Sequence, residues 1–284
     1  MWQKINRSFR PINIFFVGLS QFLAVTFLAD ISYTPTEVVR LAEIISVSMA
    51  TALGAYIVND IFDAHRDFKN SKYKSLWVEN PLYSFCLFVG LTVASLIVST
   101  KISQTFVISI SLVILFCLWY SYVLKNIAFL GNLIAAGVTS YGLFVLYFLY
   151  PIDIYLILFF SLMSFFVNFN RELIKDIEDV VGDRLDGAKT LPIMMGMKKT
   201  LSFLKSGMLM TCILLGFYTF YLSKYYFFGP LRLVFILYVS VILMFPLFYC
   251  YYLIGTYGKR SNFRELSYFL KYVMLGGILM LCLF

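Results

Sequence analysis

The segment NDIFDAHRD, residues 59–67, carries oxygen-bearing side chains at regular intervals. On an ideal helix, with about 100° between successive residues, these side chains share one arc of roughly 100°. They are Asn59, Asp60, Asp63 and Asp67. Residues four apart on a helix have Cβ atoms about 5–6 Å apart, so neighbouring carboxylates can bind one hard cation. Oxygen ligands of this kind suit Mg²⁺.

A second polar stripe lies in NFNRELIKDIEDVVGDRLDGAKTLPI, residues 168–193. A helical wheel places most of its acids and bases on one face and Leu173, Ile174 and Ile177 on the other. The polar face carries Asn168, Arg171, Glu172, Lys175, Asp176, Asp179 and Asp183. Glu178 falls outside the acidic arc, and we expect the helix to end near Gly182.

The composition indicates the setting of these stripes. Hydrophobic residues make up 61% of the 284-residue chain and charged residues 13%, against roughly half and a quarter in soluble domains. The apolar segments have the length of helices, which favours a helical bundle over a β-barrel. We therefore predict an all-α integral membrane protein with a single transmembrane domain over residues 1–284.

The hydropathy predicts nine membrane-spanning helices. Their approximate ranges are 12–29, 41–62, 81–99, 103–123, 128–149, 153–175, 200–222, 230–253 and 265–284. The basic lead MWQKINRSFRPIN lacks a small-residue cleavage site, so we interpret the first span as a retained helix rather than a signal peptide. Two long polar connections, 63–80 and 176–199, fall on the same side of the membrane.

The basic residues predict the orientation of the bundle. Most Lys and Arg residues fall on the side of the N-terminus, which the positive-inside rule assigns to the cytoplasm. This bias and the anionic lipid headgroups account for the net charge of +8, so no nucleic acid partner is expected. Spans two and six then carry their acidic stripes to the same depth, where the stripes face each other across a central cavity that opens to the cytoplasm.

Basic side chains are expected at the same level as the acids. They are Arg10, Lys125, Arg171 and Lys175. Acids and bases around one cavity indicate a metal-bridged anion, because Mg²⁺ takes few protein ligands and shares its other positions with water and phosphate oxygens. A diphosphate is the anion that fits this arrangement.

At these residues the sequence resembles a known family. NDIFDAHRD is similar to the N-D-x-x-D-x-x-x-D motif, and KDIEDVVGD to the D-x-x-D-x-x-x-D motif, of the UbiA superfamily of intramembrane prenyltransferases. RPIN (10–13), LKNIAFLGN (124–132) and TLPIMMG (190–196) resemble further parts of the family pattern. The resemblance therefore covers nearly the whole chain.

The resemblance implies an activity. This is Mg²⁺-dependent transfer of a polyprenyl group from an allylic prenyl diphosphate to a hydrophobic acceptor, with two Mg²⁺ ions. The allylic C–O bond would ionise, and the acceptor would attack the resulting cation. The second motif and the residues after it most resemble the branch that prenylates glycerol-phosphate ether lipids. An aromatic or quinone precursor is the other acceptor class.

The resemblance also implies roles for individual residues. Catalytic acids that hold Mg²⁺ are expected at Asp63, Asp67, Asp179 and Asp183. Further metal-site residues are Asn59, Asp60 and Asp176. Diphosphate contacts are expected from Arg10, Lys125, Arg171 and Lys175. Substrate contacts are expected from Asn13, Tyr120, Tyr122 and Tyr141, with Tyr147 as a further aromatic candidate.

Two regions depart from the family pattern. The segment after the first motif reads FKNSKYKSLWVENP instead of a sequence like N-R-P-x-R-P. The family's Y-x-x-x-K has Ser121 in place of Tyr, between Tyr120 and Tyr122. Donor contacts from the cap loop over 68–80 are therefore left unassigned.

Two other functions are compatible with acids in a membrane bundle. An ion transporter or channel would carry acids deep in several spans and on both sides of the midplane, whereas these acids collect at one end. A non-catalytic relative is favoured only by the altered loop. The five cysteines lie in apolar spans without paired spacing and are expected to pack as small hydrophobic residues. His65 faces away from the acidic stripe.

Overall fold

The computed structural model describes residues 2–69, 75–256 and 260–284. These residues form helices joined by short connections. In chain order the α-helices are α1 (Trp2–Phe9), α2 (Pro11–Leu28), α3 (Pro35–Lys69), α4 (Leu76–Glu79), α5 (Pro81–Ile102), α6 (Gln104–Tyr122), α7 (Leu130–Phe144), α8 (Ile154–Leu185), α9 (Leu191–Met194), α10 (Met197–Tyr225), α11 (Gly229–Tyr238), α12 (Phe245–Thr256) and α13 (Arg260–Leu279). Short 3₁₀ turns occur at Leu124–Asn126, Val145–Phe148 and Met280–Leu283, and a π-helical turn at Val239–Met244.

Within these ranges, nine helical segments are long and apolar enough to cross a membrane. They correspond to the nine predicted spans. Local sequence explains several of their starts. Pro11 and Pro81 stand in the first turn of α2 and α5, where a helix needs no N–H donor. Ser103 and Asp153 cap α6 and α8 by accepting backbone N–H bonds of 3.1 Å and 2.7 Å.

The second and sixth spans continue further than predicted. α3 extends to Lys69 and α8 to Leu185, so both acidic segments are helical and the two polar connections begin later than predicted. α8 also passes its predicted end at Gly182. Its C-cap is Asp186, followed by Gly187 in the left-handed region at φ 72°. The helical wheels therefore apply along both acidic stripes.

α3 and α8 lie at the centre of the bundle. α3 packs against α2, α5 and α6, α8 packs against α7, α10 and α13, and the two also contact each other. The fully buried Gln21 of α2 donates to the backbone oxygen of Gly142 in α7 at 2.6 Å and to Ser48 Oγ in α3 at 3.0 Å. Because an unpaired amide is costly in an apolar bundle, these bonds fix the three helices relative to one another.

The segment that departs from the family pattern is partly described. Residues 70–74 lie outside the described ranges, and the chain after them forms α4. The buried Trp77 of α4 donates its indole N–H to the backbone oxygen of Ser8 at 2.8 Å. Lys4 of α1 forms an ion pair with Glu79. The N-terminal helix is thus anchored by the unusual segment.

A tight backbone contact positions the turn that carries Lys125. A Cβ atom on Gly131 of α7 would lie 2.9 Å from both the backbone oxygen of Leu124 and the Cα of Lys125. On its other side, this turn is joined to the chain after α8, because Lys189 N donates to Asn126 O at 2.9 Å. Only glycine allows the close approach between α7 and the turn.

We expect Gly131→Ala to destabilise the protein by about 1–3 kcal/mol, the usual cost of overpacking. The added methyl group meets backbone atoms, which cannot rotate away as a side chain could. Thermal unfolding in detergent measures the effect. Gly137→Ala is the matched control, because it lies on the same helix with nothing within 4 Å of an added Cβ. Equal unfolding midpoints for the two variants would contradict the prediction.

Candidate active site

A cavity of about 890 Å³ lies among α2, α3, α6, α7, α8 and α13. Most of the predicted site residues line its wall: Arg10, Asn13, Asn59, Asp63, Asp67, Tyr120, Lys125, Tyr141, Arg171, Lys175, Asp176, Asp179 and Asp183. The acids among them come from the C-terminal turns of α3 and α8 and share one end of the bundle, which we call the acidic end. Towards the bundle interior the wall becomes largely apolar, with residues such as Phe116, Phe159 and Met163.

Asp63 is held from two directions. Its Oδ2 accepts from Asn59 Nδ2 at 2.9 Å, and its Oδ1 accepts from Lys125 Nζ at 2.8 Å. The side chains of Lys125 and Asp63 are only 7% and 16% exposed. In such a low-dielectric setting a charge-assisted hydrogen bond is stronger than in water. These three residues form one hydrogen-bonded unit.

Asp60 differs from its predicted role. Its side chain is fully buried and forms an ion pair with Arg10, and it is not part of the cavity wall. Arg10 also lies 4.6 Å from the ring centroid of Tyr56. Burial lowers the pKa of Arg10, but the Asp60 carboxylate and other nearby acidic groups raise it above its usual value. The assignment of Asp60 as a metal ligand is therefore corrected: Asp60 holds the Arg10 guanidinium at the acidic end.

The acids of α8 lie in the wall of the same cavity. Asp176 Oδ2 accepts from Asn132 Nδ2 of α7 at 2.9 Å. Asp179 and Asp183 follow along the helix at spacings of three and four residues, which keep side chains on one face. Asp183 is 3% exposed. The structure thus brings the two predicted stripes together around one space.

The carboxylates suit a metal that is shared with a ligand. Over the described residues, no three His, Cys, Asp or Glu side chains stand close enough to hold a metal ion by themselves. The available donors are carboxylate and amide oxygens, which Mg²⁺ prefers. Because Mg²⁺ keeps several positions for water and phosphate oxygens, these residues fit an ion held jointly by the protein and a bound anion.

Two glutamates of α8 join the site without having been predicted as site residues. Glu172 pairs with both Arg171, whose Nη1 lies 3.4 Å away, and Lys175. Glu178 accepts from Arg264 Nε of α13 at 2.9 Å. The helical wheel placed Glu178 outside the acidic arc. Because α13 packs against that side of α8, the cavity wall extends further around α8 than one polar stripe.

The tyrosines divide between the cavity and the outer surface. Tyr120 and Tyr141 line the cavity. Tyr122 is 68% exposed and packs against Phe62 outside the cavity. Two positions along a helix correspond to about 200°, so Tyr120 and Tyr122 cannot share a face. The assignment of Tyr122 as a substrate contact is therefore corrected, and the exposed Tyr147 also lies outside the wall.

Lys271 lines the cavity although its sequence position suggested no role. It lies within the ninth span. The signal that could have identified it is a charged residue inside an apolar segment, which usually marks function. Ser121, where the family has Tyr, is 2% exposed and also lines the cavity.

The histidine lies away from the acids of the cavity, and the cysteines are not bonded to one another. His65 has a 75% exposed side chain, and its Nε2 lies 3.7 Å from Asp186 Oδ1. This confirms that His65 faces away from the acidic stripe. All five cysteines are free thiols in the described structure.

These features define a multi-pass membrane protein with an intramembrane cavity that is charged at one end and apolar at the other. The model of the UbiA prenyltransferase family matches residues 19–273. The chain therefore belongs to the UbiA prenyltransferase family, and it is a prenyltransferase. This result disfavours the alternative of an ion transporter or channel.

Relatives extend over most of the chain. The digeranylgeranylglyceryl phosphate synthase of Methanosphaera stadtmanae is 30% identical over 272 residues, which cover 94% of this chain and 93% of the relative. The synthase of the same name from Thermococcus sibiricus is 32% identical over 195 residues, or 67% and 68% of the two chains. A solved UbiA homolog from Archaeoglobus fulgidus, bound to DMAPP and Mg²⁺, has a TM-score of 0.67 at 13% identity and covers 98% and 99%. The fold is thus confirmed.

The pairing of Asp60 with Arg10 can be tested by a double-mutant cycle. Asp60→Leu should destabilise the protein by about 3 kcal/mol, because it removes the partner of a largely buried guanidinium. Arg10→Met should cost a similar amount by leaving the Asp60 carboxylate buried. The double variant should lose less stability than the sum of the single variants, since both charges are absent. Unfolding of the four proteins in detergent measures the coupling, and strictly additive losses would contradict it.

Proposed function

We propose that this protein transfers a prenyl group from an allylic prenyl diphosphate to a glycerol-phosphate lipid in a Mg²⁺-dependent reaction. The observation that carries the proposal is a single cavity in which the acids of α3 and α8 meet Lys125 and Arg10 beside an apolar interior. A prenyl diphosphate has the same division, with a charged head and an apolar tail. The two parts of the cavity match the two parts of this donor.

The acceptor class is supported by the sequence relatives. The relative that is 30% identical over nearly the whole chain is named a digeranylgeranylglyceryl phosphate synthase. A product of that name carries two prenyl groups on one glyceryl phosphate. We therefore infer an acceptor that is a glyceryl phosphate lipid with one prenyl ether and a free hydroxyl group. An aromatic or quinone precursor, which carries no phosphate, serves as the comparison acceptor in an assay.

The acids of both stripes would hold the metal. We assign Asp63, Asp67, Asp179 and Asp183 to this role, with two Mg²⁺ ions. The Archaeoglobus homolog bound to DMAPP and Mg²⁺ supports the choice of ion. When bound, Mg²⁺ offsets the negative charge that develops on the departing diphosphate. Asn59 contributes by orienting the Asp63 carboxylate through its 2.9 Å hydrogen bond.

The other wall residues would bind the diphosphate and protect the reacting carbon. Lys125 and Arg10 place positive charge beside the diphosphate as the bond from its oxygen to C1 of the prenyl chain breaks with both electrons. The acceptor hydroxyl oxygen then bonds to C1 and loses its proton, so the products are an ether, diphosphate and a proton. Tyr120 and Phe116 line the cavity, where aromatic rings would exclude water and stabilise the allylic cation.

The metal-site assignment can be tested with Asp63→Asn and Asp179→Asn. Each variant should reduce Mg²⁺-dependent diphosphate release by on the order of a hundredfold or more, because a lost carboxylate weakens stabilisation of the leaving group by several kcal/mol. The assay uses the purified full-length protein, geranylgeranyl diphosphate and geranylgeranylglyceryl phosphate. EDTA should stop the reaction, and added Mg²⁺ should restore it.

Asp153→Asn is the matched control for these substitutions. Asp153 caps α8 at the end opposite to the acids, and Asn is also a good N-cap, so this variant should keep its activity. Full activity in the Asp63 and Asp179 variants would contradict the assigned metal site. Transfer to an aromatic acceptor, with none to the glyceryl phosphate lipid, would contradict the assigned acceptor.

We also propose that the acidic end faces the cytoplasm. The excess of Lys and Arg at this end supports the orientation through the positive-inside rule. Nine spans among the described residues place the first and last helices so that the two ends of this sequence lie on opposite sides of the membrane. Expressed in bacteria, a fluorescent protein fused before residue 1 should fold, and alkaline phosphatase fused after residue 284 should be active. The reverse pattern would contradict the proposed orientation.

A further inference from the structure

Lys271 is a charged residue within a membrane-spanning helix. It lies within the span Phe263–Leu283 and lines the cavity. Its Nζ lies 5.4 Å from the ring centroid of Tyr268, and no carboxylate in the described ranges forms an ion pair with it. A charged side chain at this depth is costly and usually marks a binding or transport function.

The packing of α13 on α8 places Lys271 beside two other cations. As the ninth and sixth spans, the two helices run in opposite directions, and the 2.9 Å contact between Arg264 and Glu178 fixes their register. Lys271 lies about two helical turns after Arg264 on α13, and Arg171 lies about two turns before Glu178 on α8. Because the helices are antiparallel, Lys271 and Arg171 come to the same level of the bundle. Lys175 lies one turn along α8 from Arg171, and all three cations line the same cavity.

Lys271, Arg171 and Lys175 together carry more positive charge than the neighbouring Glu172 neutralises. Glu172 is shared by Arg171 and Lys175. Three cations with one carboxylate leave an excess of two positive charges. The Nε of Arg171 is also buried without a hydrogen-bond partner. A phosphate monoester carries about 1.5 to 2 negative charges near pH 7 and offers three acceptor oxygens, so it fits both the charge and the unused donor.

The residues around Asp60 and Asp63 have a different charge balance. There Arg10 pairs with Asp60 and Lys125 pairs with Asp63, so each cation has its own carboxylate. Such a wall, with further acids nearby, suits an anion that arrives with Mg²⁺. The cavity therefore offers two kinds of anion site, one rich in carboxylates and one rich in cations.

We propose that Lys271, Arg171 and Lys175 form a metal-free subsite for the phosphate group of the acceptor lipid, separate from the Mg²⁺-diphosphate site of the donor. This inference rests on the proposed function, and it differs from the expectation from the sequence, because Arg171 and Lys175 then bind the acceptor rather than the donor diphosphate. The subsite would make the enzyme prefer a phosphorylated acceptor over the corresponding neutral alcohol.

The test is a comparison of Lys271→Met with Lys271→Arg in the purified full-length enzyme. Met retains the length and apolar stem of lysine but removes the charge, so the KM for geranylgeranylglyceryl phosphate should rise about tenfold or more. The KM for geranylgeranyl diphosphate should change less than about twofold. Lys271→Arg should retain most of the acceptor affinity. The preference for the phosphorylated acceptor over its dephosphorylated alcohol should disappear only in Lys271→Met.

Lys205→Met is the matched control. Lys205 also lies within a membrane span with its Nζ near a tyrosine ring, 5.5 Å from the centroid of Tyr251, but it does not line the cavity. This variant should leave both KM values unchanged. A cooperative thermal unfolding transition in every variant is required to show that each variant is folded.

The possible outcomes separate the subsite from the function on which it rests. If the donor KM of Lys271→Met rises as much as its acceptor KM, or if its acceptor KM is unchanged, the phosphate subsite is overturned. Mg²⁺-dependent transfer by the unmodified enzyme would still uphold the proposed function. If the unmodified enzyme transfers no prenyl group to the glyceryl phosphate lipid, the proposed function itself fails. Direct binding of the acceptor without donor or Mg²⁺, lost in Lys271→Met and kept in Lys205→Met, would support the subsite independently of turnover.

Discussion

The free-energy cost of holding charge within an apolar bundle is the constraint on which this structure depends. An isolated ion in a low-dielectric interior is costly, so ionised groups there need partners. The ion pairs Lys125–Asp63 and Arg10–Asp60 meet this need by joining distant parts of the chain, and the more exposed Arg264 joins α13 to α8 through Glu178. The same contacts that neutralise the charges therefore determine how the helices surround the cavity.

Helix length follows from the same constraint. A helix of about 20 residues crosses the hydrocarbon core of a membrane. α3 has 35 residues and α8 has 32, and in both the acids lie in the C-terminal turns. These extra turns allow regular backbone hydrogen bonding to continue while the carboxylates stay near the membrane boundary. A rigid helix, rather than a loop, then determines the direction of every acid in the two motifs.

The sequence was sufficient for those features that depend on local periodicity. The nine spans and both acidic stripes follow from hydropathy and from the angle between successive helical residues. The positions of Asp60 and Tyr122 did not follow, since the first depends on an arginine fifty residues earlier and the second on which side of α6 meets the cavity. Glu178 belongs to the wall because α13 packs beside it, and a single-helix wheel contains no information about that neighbour.

The bond between Trp77 and Ser8 belongs to the same class of long-range features. It joins residues 69 positions apart, and neither residue has a periodic pattern that would indicate the other. The unusual segment after α3 was predicted only as a departure from the family pattern. Its described end proves to be a structural support for α1, which leads directly into Arg10.

The backbone bond between Lys189 and Asn126 has a consequence for the entropy of ligand binding. It connects the turn containing Lys125 with the chain that leaves α8, while Gly131 holds the same turn against α7. A loop that is free in the absence of ligand loses conformational freedom when a ligand orders it, and this loss weakens affinity. Here the ordering has already occurred during folding. The lysine is therefore preorganised, and more of its attraction for an anion is retained as net binding free energy.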